Sequence, residues 1–322
     1  MLRTLAFVGI MVLASAPAWS ATPVVLVTDI GTDIDDSWAL ALALRSPDLD
    51  LKLVVTDPAD TLYRAKVAAK LLEAAGRSDV PIALGDNSGT RADDNKTLDP
   101  WVAGFDLRSY PGRIDSDGVS ALVRFLRQST QTVTVIAIGP AHSLAIALRR
   151  DPSIAAHARL VGMFGSFDHG YGGGPPGAEF NVKVDPAGLR TVLAAPWRDI
   201  LLTPLDTCGL VALSGARYHA IWSATHDPLL RALIGSYCIF APRQNWMTCD
   251  YFPVRSTTLY DTVAVYLAYS EDLVAVEPVA FDVTADGRTV RSAAGPFHAR
   301  IALRWKNEDG FEAQTAGRLL GP

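Results

Sequence analysis

Four aspartates, Asp29, Asp33, Asp35 and Asp36, crowd into eight residues of the segment VTDIGTDIDDSWALALAL, residues 27–44. Like charges so close repel one another and raise each other's pKa unless a cation neutralises them. Carboxylate oxygens gathered around a hard ion suit Ca²⁺ or Mg²⁺. Helix capping and the helix dipole would account for one or two acids at such a place, but four are harder to explain that way. The spacing is not that of an EF-hand, because no Glu follows at the twelfth loop position.

These acids need an element to hold them, and the flanking pattern supplies it. VVLVT (24–28) reads as a buried strand and DDSWALALALR (35–45) as a helix, which sets the acids at the C-terminal end of the first strand. In an open α/β sheet that edge is where ligands bind. The alternation continues. Strands are expected at 51–56, 79–84, 132–139, 159–165 and 199–204, with helices at 61–77, 117–129, 142–150 and 186–195. Continuous apolar strands joined by helical crossovers imply a mostly parallel, Rossmann-like open sheet with helices on both faces. After Gly209 the rhythm weakens, with helices expected near 215–223, 227–236 and 260–269 and short strands near 275–283 and 299–304. No linker or repeat separates this partly helical C-terminal section, so residues 21–322 read as one domain. The long loops 85–113 and 165–178 are of the kind that often carries function.

Composition narrows the partners. The chain has 322 residues, a net charge of −5, 49% hydrophobic and 20% charged residues. It is long enough to bury about three quarters of its extended surface without a metal or disulfide framework. An acidic balance with no Lys/Arg cluster argues against nucleic-acid binding. Residues 1–20, with Arg3, a short apolar run and Ala18-Trp19-Ser20, read as a signal peptide cleaved before Ala21. That predicts a periplasmic or secreted protein with no membrane span after cleavage. Cys238 and Cys249 are the nearest cysteine pair in sequence, and their spacing leaves open whether they bond.

DIGTDIDDSWALALAL resembles the N-terminal signature of the nucleoside hydrolases of the inosine/uridine-preferring superfamily. Further blocks are similar in order: GRSDVPIALG (76–85), IGPAHSLAIAL (138–148), GAEFNVKVDPAG (177–188), TPLDTCG (203–209) and LYDTVAV (259–265). The resemblance implies hydrolysis of a ribonucleoside to ribose and free base. It also implies Ca²⁺ held by Asp29, Asp36, Asp261 and the backbone carbonyl of Ile138, with Asp29 activating a water on the ion. Asp35, Asp60, Glu179 and Asn181 would then hold the sugar. A homodimer or homotetramer is implied as well, and export would suit scavenging of external nucleosides.

Bond cleavage builds positive charge on the sugar ring, which an acid-lined pocket stabilises. Three departures from the family pattern concern its surroundings. Val27 stands where an Asp is common, Tyr260 where many members have His, and YGGGPPG (171–177) lacks the usual sugar-contacting Asn. Trp246, Tyr251, Tyr260 and His226 are the candidates for stacking on or protonating the departing base. The competing reading is an exported nucleoside- or ribose-binding protein without catalysis. A Mg²⁺-dependent phosphatase fits less well, since Gly31 stands where an acid or Thr normally follows the nucleophilic Asp.

Overall fold

The computed structural model describes residues 21–87, 95–245, 247 and 251–321. The expected signal peptide, Trp246 and Cys249, and with Cys249 the question of its pairing, lie outside the described residues. Among the described residues no helix is long and apolar enough to cross a membrane.

The first strand, β1 (Thr22–Thr28), is buried from Val24 onward. It pairs in parallel with β2 (Leu49–Thr56) on one side and β5 (Val133–Ala137) on the other. Beyond β2 lie β3 (Ile82–Leu84) and β4 (Ile114–Asp115); beyond β5 lie β6 (Ala158–Met163) and β7 (Ile200–Thr203). With β8 (Val274–Val283), β9 (Thr289–Arg291) and β10 (Phe297–Trp305), the full order is β4-β3-β2-β1-β5-β6-β7-β10-β8-β9. The chain therefore builds outward from β1 in one direction and returns to build in the other. The crevice where that reversal occurs, between the C-terminal ends of β1 and β5, is the usual ligand position in such sheets.

Alternate residues of β1 face opposite layers. Val24 and Leu26 pack with α1 (Asp35–Arg45), α2 (Thr61–Ala74) and the C-terminal helices, whereas Val25 and Val27 pack with α4 (Gly118–Gln128), α5 (His142–Arg150) and α7 (Pro186–Leu193). The helical crossovers cover both faces, which is why the strands read as unbroken apolar runs. Short helices α3 (Asp99–Val102), α6 (Phe180–Val184) and α8 (Leu205–Cys208) lie in the connections. The first-layer helices include α9 (Gly215–Ser223), α10 (Pro228–Phe240) and α11 (Tyr260–Leu267).

The C-terminal section rejoins the same sheet. β10 (Phe297–Trp305) runs parallel to β7 and antiparallel to β8 (Val274–Val283), and β9 (Thr289–Arg291) pairs antiparallel with β8. The expected open, mostly parallel sheet is present, with this antiparallel flank added. Several short elements escape the sequence pattern, β4, α3, α6 and α8 among them, and so do β9 and the last helix. β9 has three residues, of which one is buried. The last helix, α12 (Glu308–Leu320), carries two glycines and buries only Phe311, Thr315, Ala316 and Leu319, so its apolar stripe is faint.

Candidate functional site

The chain leaves β1 at Thr28 and must turn sharply before α1 begins. Gly31 makes the turn at φ +102°, and a Cβ there would meet the Tyr63 ring at 2.8 Å. Thr28 Oγ1 donates to the Asp36 carboxylate and accepts from Ile30 N–H at 3.1 Å, which ties the start of the turn to its end. Ile34, not an acid, stands at the N-cap of α1, and no side chain caps that helix. Asp35 and Asp36 are therefore not explained as caps.

Asp261, in the first turn of α11, meets them from the far side. Ligand oxygens of Asp35, Asp36 and Asp261 lie within 4.8 Å of one another, and all three residues are buried. Burial, then the charges of Asp33 and Asp29, drives the Asp35 carboxyl well above the ordinary range. Asp36 and Asp261 are raised in the same way, first by burial and then by neighbouring acids. Asp29 and Asp33 are pushed up to about 6, again chiefly by burial, with the Arg64 guanidinium drawing Asp29 partly back down. Such crowding resists ionisation until a cation enters. An oxygen-only donor set, buried and convergent, fits a hard divalent ion.

β5 closes the adjacent wall. A Cβ on Gly139 would lie 2.7 Å from both the backbone nitrogen and Oδ1 of Asp29, so only glycine lets the two strand ends approach so closely. Asn181 Nδ2 donates to the carbonyls of Ile138 at 3.0 Å and Met163 at 3.1 Å. Both partners only accept, so the amide nitrogen must face them and Oδ1 is left as the free polar atom. The Ile138 carbonyl keeps a second lone pair. Glu179 caps α6, accepting from the backbone N–H groups of Asn181 (2.7 Å), Val182 (3.2 Å) and Gly165 (3.1 Å). Even so, burial pushes its carboxyl up to about 7. The loop after β6 is steadied from the C-terminal flank, since Thr289 Oγ1 accepts from Ser166 N–H at 2.9 Å and donates to its carbonyl at 3.0 Å.

These groups enclose a cavity of about 230 Å³ lined by Asp29, Thr32, Asp33, Asp35, Asp36, Ile138, Met163, Tyr171, Glu179, Phe180, Asn181, Tyr260 and Asp261. It brings together seven of the eight residues expected to hold metal or sugar, and Tyr260 from the base-side candidates. Asp60 is the exception. It caps α2 through Tyr63 N–H and pairs with Lys96 at 2.5 Å, in a separate surface hollow. Partial burial raises its carboxyl, but Lys96 and the Tyr63 N–H outweigh this and hold it below the ordinary value. The acid that follows β2 inward is Asp57, which accepts from Ser143 N–H and Oγ at 2.6 Å each and is pushed up to about 7 by burial. His226 lies exposed ahead of α10, and Tyr251 stacks beneath Arg255; neither lines the cavity. The sequence assigns no role to Tyr171 or Phe180, and it places Asp33 in the acid cluster without a role of its own. The Gly/Pro-rich loop 165–178 was a signal for Tyr171, and the acid crowding for Asp33.

Comparison with known proteins bears on the fold and the family. The solved structure of a plant nucleoside hydrolase superposes with a TM-score of 0.77 at 21% identity, covering 94% of this chain and 100% of that one. An inosine-uridine preferring nucleoside hydrolase from Bacillus anthracis gives a TM-score of 0.73 at 21% identity, covering 93% and 99%. At this identity the likeness speaks for the fold. In sequence, an uncharacterised Schizosaccharomyces pombe protein is 33% identical over 57% of this chain and 61% of its own length. The pyrimidine-specific ribonucleoside hydrolase RihA of an Enterobacter strain is 34% identical over 53% and 56%. The chain thus spans about three fifths of the curated relatives it matches. The profile described as inosine-uridine preferring nucleoside hydrolase matches residues 24–314, and with most of the sequence inside that match the chain belongs to this family.

Proposed function

We propose that the protein hydrolyses the N-glycosidic bond of ribonucleosides to ribose and free base. The observation that carries this reading is the convergence of Asp35, Asp36 and Asp261 with Asp29 in one buried cavity at the sheet's reversal point. Asp29, Asp36, Asp261 and the Ile138 carbonyl would hold Ca²⁺, which when bound would supply a concentrated positive charge that acidifies water and grips sugar hydroxyls.

The remaining chemistry belongs to the chain. Asp29 is the proposed general base: its carboxyl lines the cavity at the end of β1, where it would take a proton from water. Asp35 and Glu179 are acceptors for sugar hydroxyls, and Asn181 offers Oδ1. As the base departs, positive charge spreads over the sugar ring, and surrounding carboxylates favour that state over the neutral ground state. Tyr260, with Tyr171 and Phe180 beside it, gives the base an aromatic wall. Met163 adds an apolar side chain to the same lining.

Incubation with a panel of purine and pyrimidine nucleosides, followed by assay of released reducing sugar, tests this directly. Turnover should vanish with chelator and return with Ca²⁺. Asp29→Asn should lower kcat by about a thousandfold while the protein remains folded; near wild-type turnover in that variant would overturn the assigned base. Absence of released sugar for every nucleoside would favour the non-catalytic binder. Export is proposed from residues 1–20, and a secreted form beginning at Ala21 on N-terminal sequencing is the expected result.

A further inference from the structure

Arg64, on α2, is buried to 3% exposure and has no carboxylate partner among the described residues. Its guanidinium instead collects backbone. Nε donates to the Pro58 carbonyl at 2.7 Å, and one terminal nitrogen donates to the Asp29 carbonyl, to the Ile30 carbonyl at 3.2 Å and to Thr32 Oγ1 at 2.8 Å. Its neighbours complete the set. Tyr63 Oη donates to the Gly31 carbonyl at 3.0 Å, while Thr97 Oγ1 reaches the carbonyls of Gly31 at 2.9 Å and Thr32 at 3.1 Å. Every carbonyl from Asp29 to Thr32 is thus drawn toward α2 and Thr97.

We infer that Arg64 is a positioning residue for the acid-lined cavity: by holding the Asp29 and Ile30 carbonyls and the Thr32 hydroxyl, it sets the carboxylates of the turn toward the cavity before any cation or substrate arrives. A buried guanidinium is costly unless its donors are used, and here its planar fork bridges the β1 turn to the β2 turn. Lys could keep the charge but not that fork. The nearby positive charge also offsets some repulsion among the acids without capturing any one of them. The inference deepens the proposed function, since the turn it holds carries the assigned base.

The test is hydrogen exchange on the metal-free full chain, comparing wild type, Arg64→Lys and Tyr63→Phe. Ile30, Thr32 and Ile34 amides are bonded within the turn, so loosening it has a readout independent of activity. Exchange across 29–34 should accelerate about tenfold in Arg64→Lys, and less in Tyr63→Phe, while α4 and α7 stay as in wild type. Exchange across 29–34 unchanged in both variants, or accelerated equally everywhere, would overturn the inference. Calcium titration by calorimetry forms the second arm, where Arg64→Lys should bind about tenfold more weakly. If wild type binds no calcium, the metal assignment fails while the exchange result still decides the role of Arg64.

Discussion

Tyr171 stands edge-on to Tyr260, with ring centroids 5.9 Å apart and planes crossing at 82°. Tyr171 comes from the Gly/Pro-rich loop and is held by Phe180 N–H, which donates to its hydroxyl at 3.0 Å. Tyr260 precedes the buried Asp261 by one residue. The pair therefore links that loop to the acid cluster, and presents flat apolar surface beside it.

If Tyr260 serves the base through its ring, Tyr260→Phe should change KM by less than about threefold, whereas Tyr260→Ala should raise it about tenfold. Steady-state kinetics with inosine and uridine measure both. Equal losses in the two variants would shift the role to the hydroxyl.

Asp57 gives a pH signature away from the proposed ligands. Its folded carboxyl sits at about 7 against an ordinary 3.8, so the native state keeps a proton that the unfolded chain releases. The associated stability is present below about pH 4 and is lost as pH rises toward 7. His142, raised first by its bond to Asp185, loses its contribution in the same direction, as pH climbs through its folded value. In urea denaturation, the stability of wild type minus that of Asp57→Asn should therefore fall between pH 4 and 7. A difference that is flat or rising across this range contradicts the assignment.

Two glycines with positive φ separate backbone strain from crowding. Gly76 has φ +67° and open space where a Cβ would project, so Gly76→Ala should cost about 1 kcal/mol. Gly31 adds the Tyr63 ring at 2.8 Å, so Gly31→Ala should cost about 3 kcal/mol. Chemical denaturation of both variants checks the ordering.

Asn181→Asp would aim a carboxylate at the Ile138 and Met163 carbonyls, where only a donor is tolerated. A loss of about 3 kcal/mol in unfolding free energy is expected at neutral pH, shrinking in acid as the new carboxyl protonates. Asn181→Ala should be milder at neutral pH.

Calcium at about 100 times its dissociation constant should stabilise the wild type by about 2.7 kcal/mol. Asp261→Asn should abolish most of that gain. Thermal melts with chelator and with added calcium give the comparison, and an equal gain in the variant would remove Asp261 from the ligand set.

The acids from Asp29 to Asp36 were legible because one short segment carries them all, bounded by a clear strand and a clear helix. Asp261 is brought beside them by α11 from far along the chain, and no local spacing reveals that; only the family resemblance pointed to it. The segment DPAD holds two acids three residues apart, and the turn at Pro58–Ala59, with Ala59 at φ 65°, decides that Asp57 faces inward while Asp60 caps α2. Pro58 marks a turn, but an alanine gives no sign of the positive φ at Ala59. His226 and Tyr251 have suitable chemistry but no spacing that ties them to a strand end, and neither reaches the cavity. The glycine-rich stretch around Tyr171 marks a functional loop, but its path, and so the place of that ring, cannot be read from periodicity.

The bonds between Thr289 and Ser166 tie the loop after β6 to a hairpin near the C-terminus. During synthesis on the ribosome, the acids of the β1 turn emerge well before Asp261 and before Thr289, the anchor for that loop. The pocket is thus completed late, and an interrupted translation product carries its first acids without the partners that finish it.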